Sequence, residues 1–165
     1  MSISLSDLPQ KAREQAIAKL AIEEARRQGR IAPANITGSI RYIIYGSPVT
    51  KKNSSQILVN NNTGKRFVAP SKAYHEYEKT AGDYLVPLPS KPIDSRVNVK
   101  CVYYMPTKRR VDLANLISAT CDILTHYGVL DDDNSNIVVS HDGSRVRYDK
   151  DNPRAEITIT EVQDI

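Results

Sequence analysis

Lys108-Arg109-Arg110-Val111-Asp112-Leu113-Ala114-Asn115-Leu116 opens the stretch on which the reading of this chain turns, and His141-Asp142-Gly143 closes it. The basic cluster runs straight into Asp112 and Asn115, at the mouth of a predicted helix over residues 112–127 that stops near Gly128. At about 100° per residue, Leu113, Leu116, Ile117, Thr120, Ile123, Leu124 and Tyr127 share one broad arc, the expected core face. Asp112, Asn115, Ala119, Asp122 and His126 share another, with small Ala119 leaving room between the acids. Asp112 stands in the first turn, where the helix dipole favours an anion. One helix-length later comes Asp131-Asp132-Asp133-Asn134, then an apolar strand over 136–140. Carboxylates that recur around one helix, with cations beside them, suit a site that holds a hard metal ion against a phosphate backbone. Mg²⁺ takes oxygen ligands, commonly one or two carboxylates plus substrate phosphates, and lysines and arginines attract the polyanion whatever its sequence.

The same residues have plainer readings. A helix must present a solvated face, and an aspartate in the first turn is an ordinary cap. Asp131, Asp133 and Ser135 have the first, third and fifth spacing of a calcium loop, and Asp142 falls twelfth. Asn136 stands where such a loop needs glycine, the twelfth residue is not Glu, and Ile137-Val138-Val139 reads as strand, so an EF-hand is set aside. His75, His126 and His141 show no zinc spacing. His75 and His126 read as surface residues, whereas His141, just after a strand and beside Asp142, is within reach of a site. Neither a Gly-rich phosphate loop nor a nucleophile elbow is present.

Outward from this stretch, Val97, Val99, Cys101 and Tyr103 alternate along a strand over 96–105, which feeds the basic loop 106–110. Pro87, Pro89 and Pro92 mark an extended loop before it. A helix from Ser71, its cap, to about Leu85 carries Tyr74, Tyr77, Ala81, Tyr84 and Leu85 on one face. Two short strands, 57–59 and 65–68, meet through Asn60-Asn61-Asn62-Thr63-Gly64, a hairpin signal. A first strand over 39–45 ends at Gly46, followed by the cationic loop Thr50-Lys51-Lys52-Asn53. Downstream, strands are expected over 145–148 and 155–162, separated by Asp151-Asn152-Pro153.

The first forty residues differ. From Pro9 to Gln28 the chain is rich in helix formers, with a narrow stripe of Ile17, Leu20, Ala21 and Ala25 that needs a partner surface. Ala32-Pro33-Ala34-Asn35 reads as a linker. The expected organisation is a helical extension over 1–36 and one domain over 37–165, α+β, with a small mixed sheet and two packed helices. With 165 residues, 40% of them hydrophobic, a core is attainable, and a net charge of +4 is compatible with nucleic acid. Cys101 and Cys121 sit in apolar periodic segments and read as buried thiols. No signal peptide or spanning run appears, so a soluble protein of the reducing cytoplasm is expected, without membrane contact or small-molecule cofactor.

The order of features resembles the RusA-type Holliday junction resolvases of bacteria and phages. Their basic run, Asp-Leu-Asp-Asn-Leu, a further Asp-Ala-Leu, a glycine and an Asp-Asp before a strand correspond to Lys108–Leu116, Cys121-Asp122-Ile123-Leu124, Gly128-Val129 and Asp132-Asp133-Asn134. Gly46-Ser47-Pro48-Val49-Thr50-Lys51-Lys52-Asn53 is similar to the family's Gly/Pro-rich basic loop. The likeness covers about residues 40–162. It implies a small α+β homodimer that cuts four-way DNA junctions with Mg²⁺ in recombination and repair. Asp112 matches the first metal-site aspartate, and Asp133 the aspartate after the helix, with Asp132 its neighbour. Asp122 and Asp142 are candidates to complete the site, and Lys51, Lys52, Lys65, Arg66, Lys108, Arg109 and Arg110 are expected on the DNA backbone. Two departures stand out: the family's second acid falls at Ala114, and a helix lysine falls at Ser118. The rival expectation is a branched-DNA-binding module of the same fold that no longer cuts.

Overall fold

The structure is a computed structural model that describes residues 38–51 and 56–163, together with Leu20. The expected helix between Pro9 and Gln28, the linker after it, the boundary at 36/37 and Lys52 lie outside the described residues.

In chain order the elements are β1 (Ser39–Tyr45), β2 (Gln56–Val59), β3 (Arg66–Ala69), α1 (Lys72–Tyr84), β4 (Val97–Met105), α2 (Leu113–His126), β5 (Val138–Ser140), β6 (Arg145–Tyr148) and β7 (Arg154–Glu161). The main sheet runs β1-β7-β4, with β5 and β6 both pairing with β4. β7 is antiparallel to β1 and to β4, whereas β5 and β6 are parallel to β4, so the sheet is mixed. The α+β expectation is met.

β4 is the middle of the molecule. Val97, Val99, Cys101 and Tyr103 are buried on one face; the last three are in register with Ile159, Ile157 and Ala155 of β7 and through them with Ile40, Tyr42 and Ile44 of β1. α2 lies against this apolar face: Tyr103 Oη and Thr120 Oγ1 are 2.7 Å apart, and Leu116, Ile123 and Leu124 join the same cluster. Burial of that many aliphatic side chains, each contributing about 1.5–3 kcal/mol, is what holds helix to sheet.

The polar arc of α2 is narrower than its periodicity suggested. Ala119 is buried and leaves no gap between the acids, because α2 packs on the sheet and also touches α1, so more than one arc is covered. The two helices close in at Gly82. A Cβ there would run into the Tyr127 ring, and the Tyr127 hydroxyl donates to the Glu78 carbonyl oxygen at 3.0 Å. The helix stops as its sequence requires. Gly128 has φ +71°, Val129 N donates to Leu124 O at 2.9 Å and Gly128 N to Thr125 O at 3.1 Å, a Schellman ending for which glycine is the natural residue.

β2 and β3 form a hairpin of their own, outside the main sheet. Its pairs Ile57↔Val68 and Leu58↔Phe67 leave Ile57 and Val68 70% and 71% exposed. A two-stranded hairpin is marginal on its own in water.

Candidate active site

Asp112 is the N-cap of α2. Its Oδ1 accepts from Ala114 N at 2.9 Å and its Oδ2 from Asn115 Nδ2 at 3.0 Å. Both oxygens are therefore engaged by the first turn, although each keeps a lone pair for a further partner. Ten residues on, about 15 Å along the axis, Asp122 faces a different environment. Its Oδ2 is 3.0 Å from Lys51 Nζ, an ion pair joining α2 to the loop after β1 across 71 positions of sequence. The ammonium also lies over the Tyr74 ring, 6.0 Å from its centroid.

The acidic run following α2 is held at both ends by the segment before β4. Ile93 N donates to Val129 O, Asp131 N to Ile93 O, and Val97 N to Ile137 O. Within it Asp132 Oδ1 accepts from Asp133 N and Oδ2 from Asn134 Nδ2, each at 2.7 Å, and the Asn134 amide leads these bonds in pulling the Asp132 carboxyl below its usual range. Asp133 is shifted the other way. Partial burial, then the charges of Asp122 and Asp132, push its carboxyl above the ordinary carboxylate value. The fold thus brings Asp122, Asp132 and Asp133 into one electrostatic neighbourhood, with Lys51 at its edge. A carboxyl raised by its like-charged neighbours is a group that a cation would relieve.

The remaining expected residues are more scattered. Asp142 is exposed on the β5–β6 loop, whose backbone is clamped by Asn98: Asp142 N donates to Asn98 Oδ1 at 2.7 Å, and Ser140 Oγ to the same oxygen at 2.6 Å. His141 Nδ1 lies 2.9 Å from the Val99 carbonyl oxygen. A carbonyl only accepts, so that nitrogen carries the proton, and the ring is tied to the sheet. Lys65 and Arg66 are exposed at the hairpin end. Lys108, Arg109 and Arg110 are exposed on the loop before α2, with Lys108 Nζ 5.3 Å from the Tyr148 ring centroid. Among the described residues, no three His, Cys, Asp or Glu side chains gather into a ready-made metal cluster.

Burial pushes the Cys101 and Cys121 thiols up to about 11 and about 12, so both stay protonated and unreactive, as their apolar contexts suggested.

A sequence model of the family described as Endodeoxyribonuclease RusA matches residues 45–160, more than half of the chain. The chain belongs to the RusA endodeoxyribonuclease family. The match spans β1's last residue to the penultimate residue of β7, and so takes in Asp112, Asp122, Asp132, Asp133 and Asp142. The resemblance to Holliday junction resolvases read from the motif is thereby borne out, and the RusA chain falls in a class of DNA-cutting enzymes that act on branched DNA. No curated protein matches it. Among the described residues of this RusA chain no helix is long and apolar enough to cross a membrane.

Sequence reasoning missed three arrangements made by the fold. Tyr74 is buried, and its hydroxyl has no hydrogen-bond partner among the described residues. Asn98 is the clamp of the Asp142 loop. Arg154 lies over the Tyr104 ring at 3.6 Å while donating to Asp149 at 2.9 Å and Glu156 at 2.8 Å. The alternation of β7 marks Arg154 as facing away from the core, but nothing local names its partners.

Proposed function

We propose that this chain is a Mg²⁺-dependent endodeoxyribonuclease that cuts four-way junctions during recombination and repair in the cytoplasm, acting as a homodimer. The observation that carries this reading is the meeting of Asp122 and Asp133, with Lys51 beside them, inside a domain of the RusA family. The donors fit the ion. They are carboxylate oxygens, one is destabilised by its neighbours, and two acids with waters and substrate phosphates make an ordinary Mg²⁺ environment. Asp122 and Asp133 are assigned to the ion, with Asp132 holding the acidic turn; Asp112, about 15 Å along the helix axis from Asp122, and Asp142 are proposed as further carboxylates of the site. The chemistry that a bound Mg²⁺ supplies is activation of a water for in-line attack on a phosphodiester and stabilisation of the leaving oxygen.

The chain's own residues do the positioning. Lys108, Arg109 and Arg110 stand just before Asp112, separated from it by Val111, and Lys65 and Arg66 are exposed on the hairpin. Lys51 and Lys52 are assigned to the same backbone. A two-fold junction suits an isologous pair of protomers. The deciding experiment is cleavage of a labelled four-way junction and a matched linear duplex, in Mg²⁺ and in EDTA. Paired symmetric nicks on the junction alone, lost in EDTA, are expected. Equal cutting of the linear duplex would overturn the substrate assignment, and undiminished cutting in EDTA would overturn the metal.

Ala114 favours a second reading, in which the chain binds branched DNA without cutting. The position offers only its backbone N–H, which is spent on Asp112 Oδ1. On this reading junction binding is tight and salt-sensitive, no product forms, and Ala114→Asp switches cutting on. No gain from Ala114→Asp would count against a simple lost ligand.

A further inference from the structure

We propose that Lys51 is the built-in counter-ion of the Asp122–Asp133 carboxylates: an entering divalent cation displaces it, and the freed ammonium takes a DNA phosphate. The proposal rests on the metal reading above and adds to it a coupling between metal and DNA.

Four observations lead there. Lys51 Nζ is already on one of the acids, 3.0 Å from Asp122 Oδ2. The contact joins the loop after β1 to the far third of α2, so it is made by the fold and not by neighbouring residues. The lysine's base is held while its head is accessible: Pro48 and Thr50 are buried, and the Lys51 side chain is 49% exposed. The floor beneath it is Tyr74, which presents an aromatic ring to the ammonium and a buried hydroxyl with no partner among the described residues.

The electrostatics set the direction of exchange. One ammonium faces the Asp122 carboxylate while Asp132 and Asp133 follow on the turn beyond the helix, so a single lysine leaves these acids incompletely neutralised. A half-exposed ammonium–carboxylate contact is weak, because water competes for both partners. A divalent ion would bring twice the charge, and Asp122 and Asp133 would be the acids that hold it. Once it is there, the ammonium is repelled from the position it held. Lysine is a compact, rotatable donor on a flexible stem, suited to a phosphate oxygen as its next partner. Metal and DNA then assist each other's binding, since any such coupling is reciprocal.

The test uses the full chain as wild type, Lys51→Met, Lys51→Gln and Lys51→Arg, each checked for folding by circular dichroism. Isothermal titration with Mn²⁺ alone comes first. Removing the competing cation is expected to tighten Mn²⁺ binding by about fivefold or more in Lys51→Met and Lys51→Gln, with Lys51→Arg close to wild type. Lys51→Gln keeps the test available if Lys51→Met aggregates. Four-way junction binding is then compared in Ca²⁺ and in EDTA. Ca²⁺ is expected to raise wild-type affinity by about tenfold, and to raise that of the two neutral variants far less. Unchanged or weaker Mn²⁺ binding in the neutral variants overturns the counter-ion role and leaves the metal reading standing. Absence of Mn²⁺ binding to folded wild type overturns the metal reading itself, and this proposal with it. An equal Ca²⁺ enhancement in all variants removes the transfer of Lys51 to phosphate.

Discussion

The two ends of α2 carry the same residue type in opposite circumstances. At the N-terminus Asp112 is satisfied by its own helix, with both oxygens accepting hydrogen bonds and the dipole favouring its charge. At the other end Asp122 depends on a lysine from a distant loop, and Asp133 is pushed up by burial and by the acids around it. At the first end the cap by itself gives the aspartate a structural role. At the second end Asp132 is satisfied by its own turn, whereas Asp122 takes its partner from Lys51. The contrast separates a carboxylate satisfied by its own helix from one satisfied only by a charge that the fold brings from elsewhere.

Replacement of Asp133 by Asn should break the comparison most visibly. Mg²⁺-dependent junction cutting is expected to fall on the order of 100-fold or more, the scale of losing a group that stabilises transition-state charge. The melting temperature should hold or rise, because a repelled charge has been removed. A matching loss of stability in a thermal melt would show that Asp133 is structural after all.

Gly82→Ala attacks the support of the acid end. The added methyl meets the Tyr127 ring at the point where α1 closes on the end of α2. Overpacking of this kind costs about 1–3 kcal/mol, measurable as a lowered urea midpoint with an unchanged slope. Wild-type stability in this variant would mean that the ring moves aside freely.

At the N-terminal end, Asp112→Ala should cost about 1 kcal/mol through the lost cap. Asp112→Asn keeps the cap and removes the charge. Near-native stability with lost cutting in Asp112→Asn identifies a metal ligand, whereas full Mg²⁺-dependent cutting in that variant would leave Asp112 a cap only.

The smallest expected effect is in the pH dependence of stability. A carboxyl raised on folding binds its proton more tightly in the folded state. The Asp133 contribution therefore favours folding at low pH and is lost as pH rises from the ordinary carboxylate range through its raised value. Asp132 and Asp149 are lowered, so their contributions are present above the ordinary range and are lost on acidification. Melting curves of wild type and Asp133→Asn between about pH 4 and pH 7 should converge toward the acid end. Parallel curves would dispose of the Asp133 shift.

Much of this was legible in the chain. The strand over 39–45, the capped helix after Ser71, the alternation that buries Val97, Val99, Cys101 and Tyr103, and Asp112 at the start of α2 all follow from local rules of period, propensity and capping. Ala119 was misjudged because one helical period describes one buried face, and α2 is covered on more than one side. The parallel pairing of β5 and β6 with β4 was not legible either, since a strand's pattern does not name its neighbour.

What the sequence determined by itself was the set of elements and the order of acids and bases that marks the RusA family, because those depend on residues a few positions apart. What only the tertiary structure decided was which charges meet. Lys51 and Asp122 are 71 positions apart, and Asp133 reaches Asp122 only after the chain turns at Gly128 and is pinned at Ile93. Coulomb interactions depend on distance in space, and the sequence records only distance along the chain.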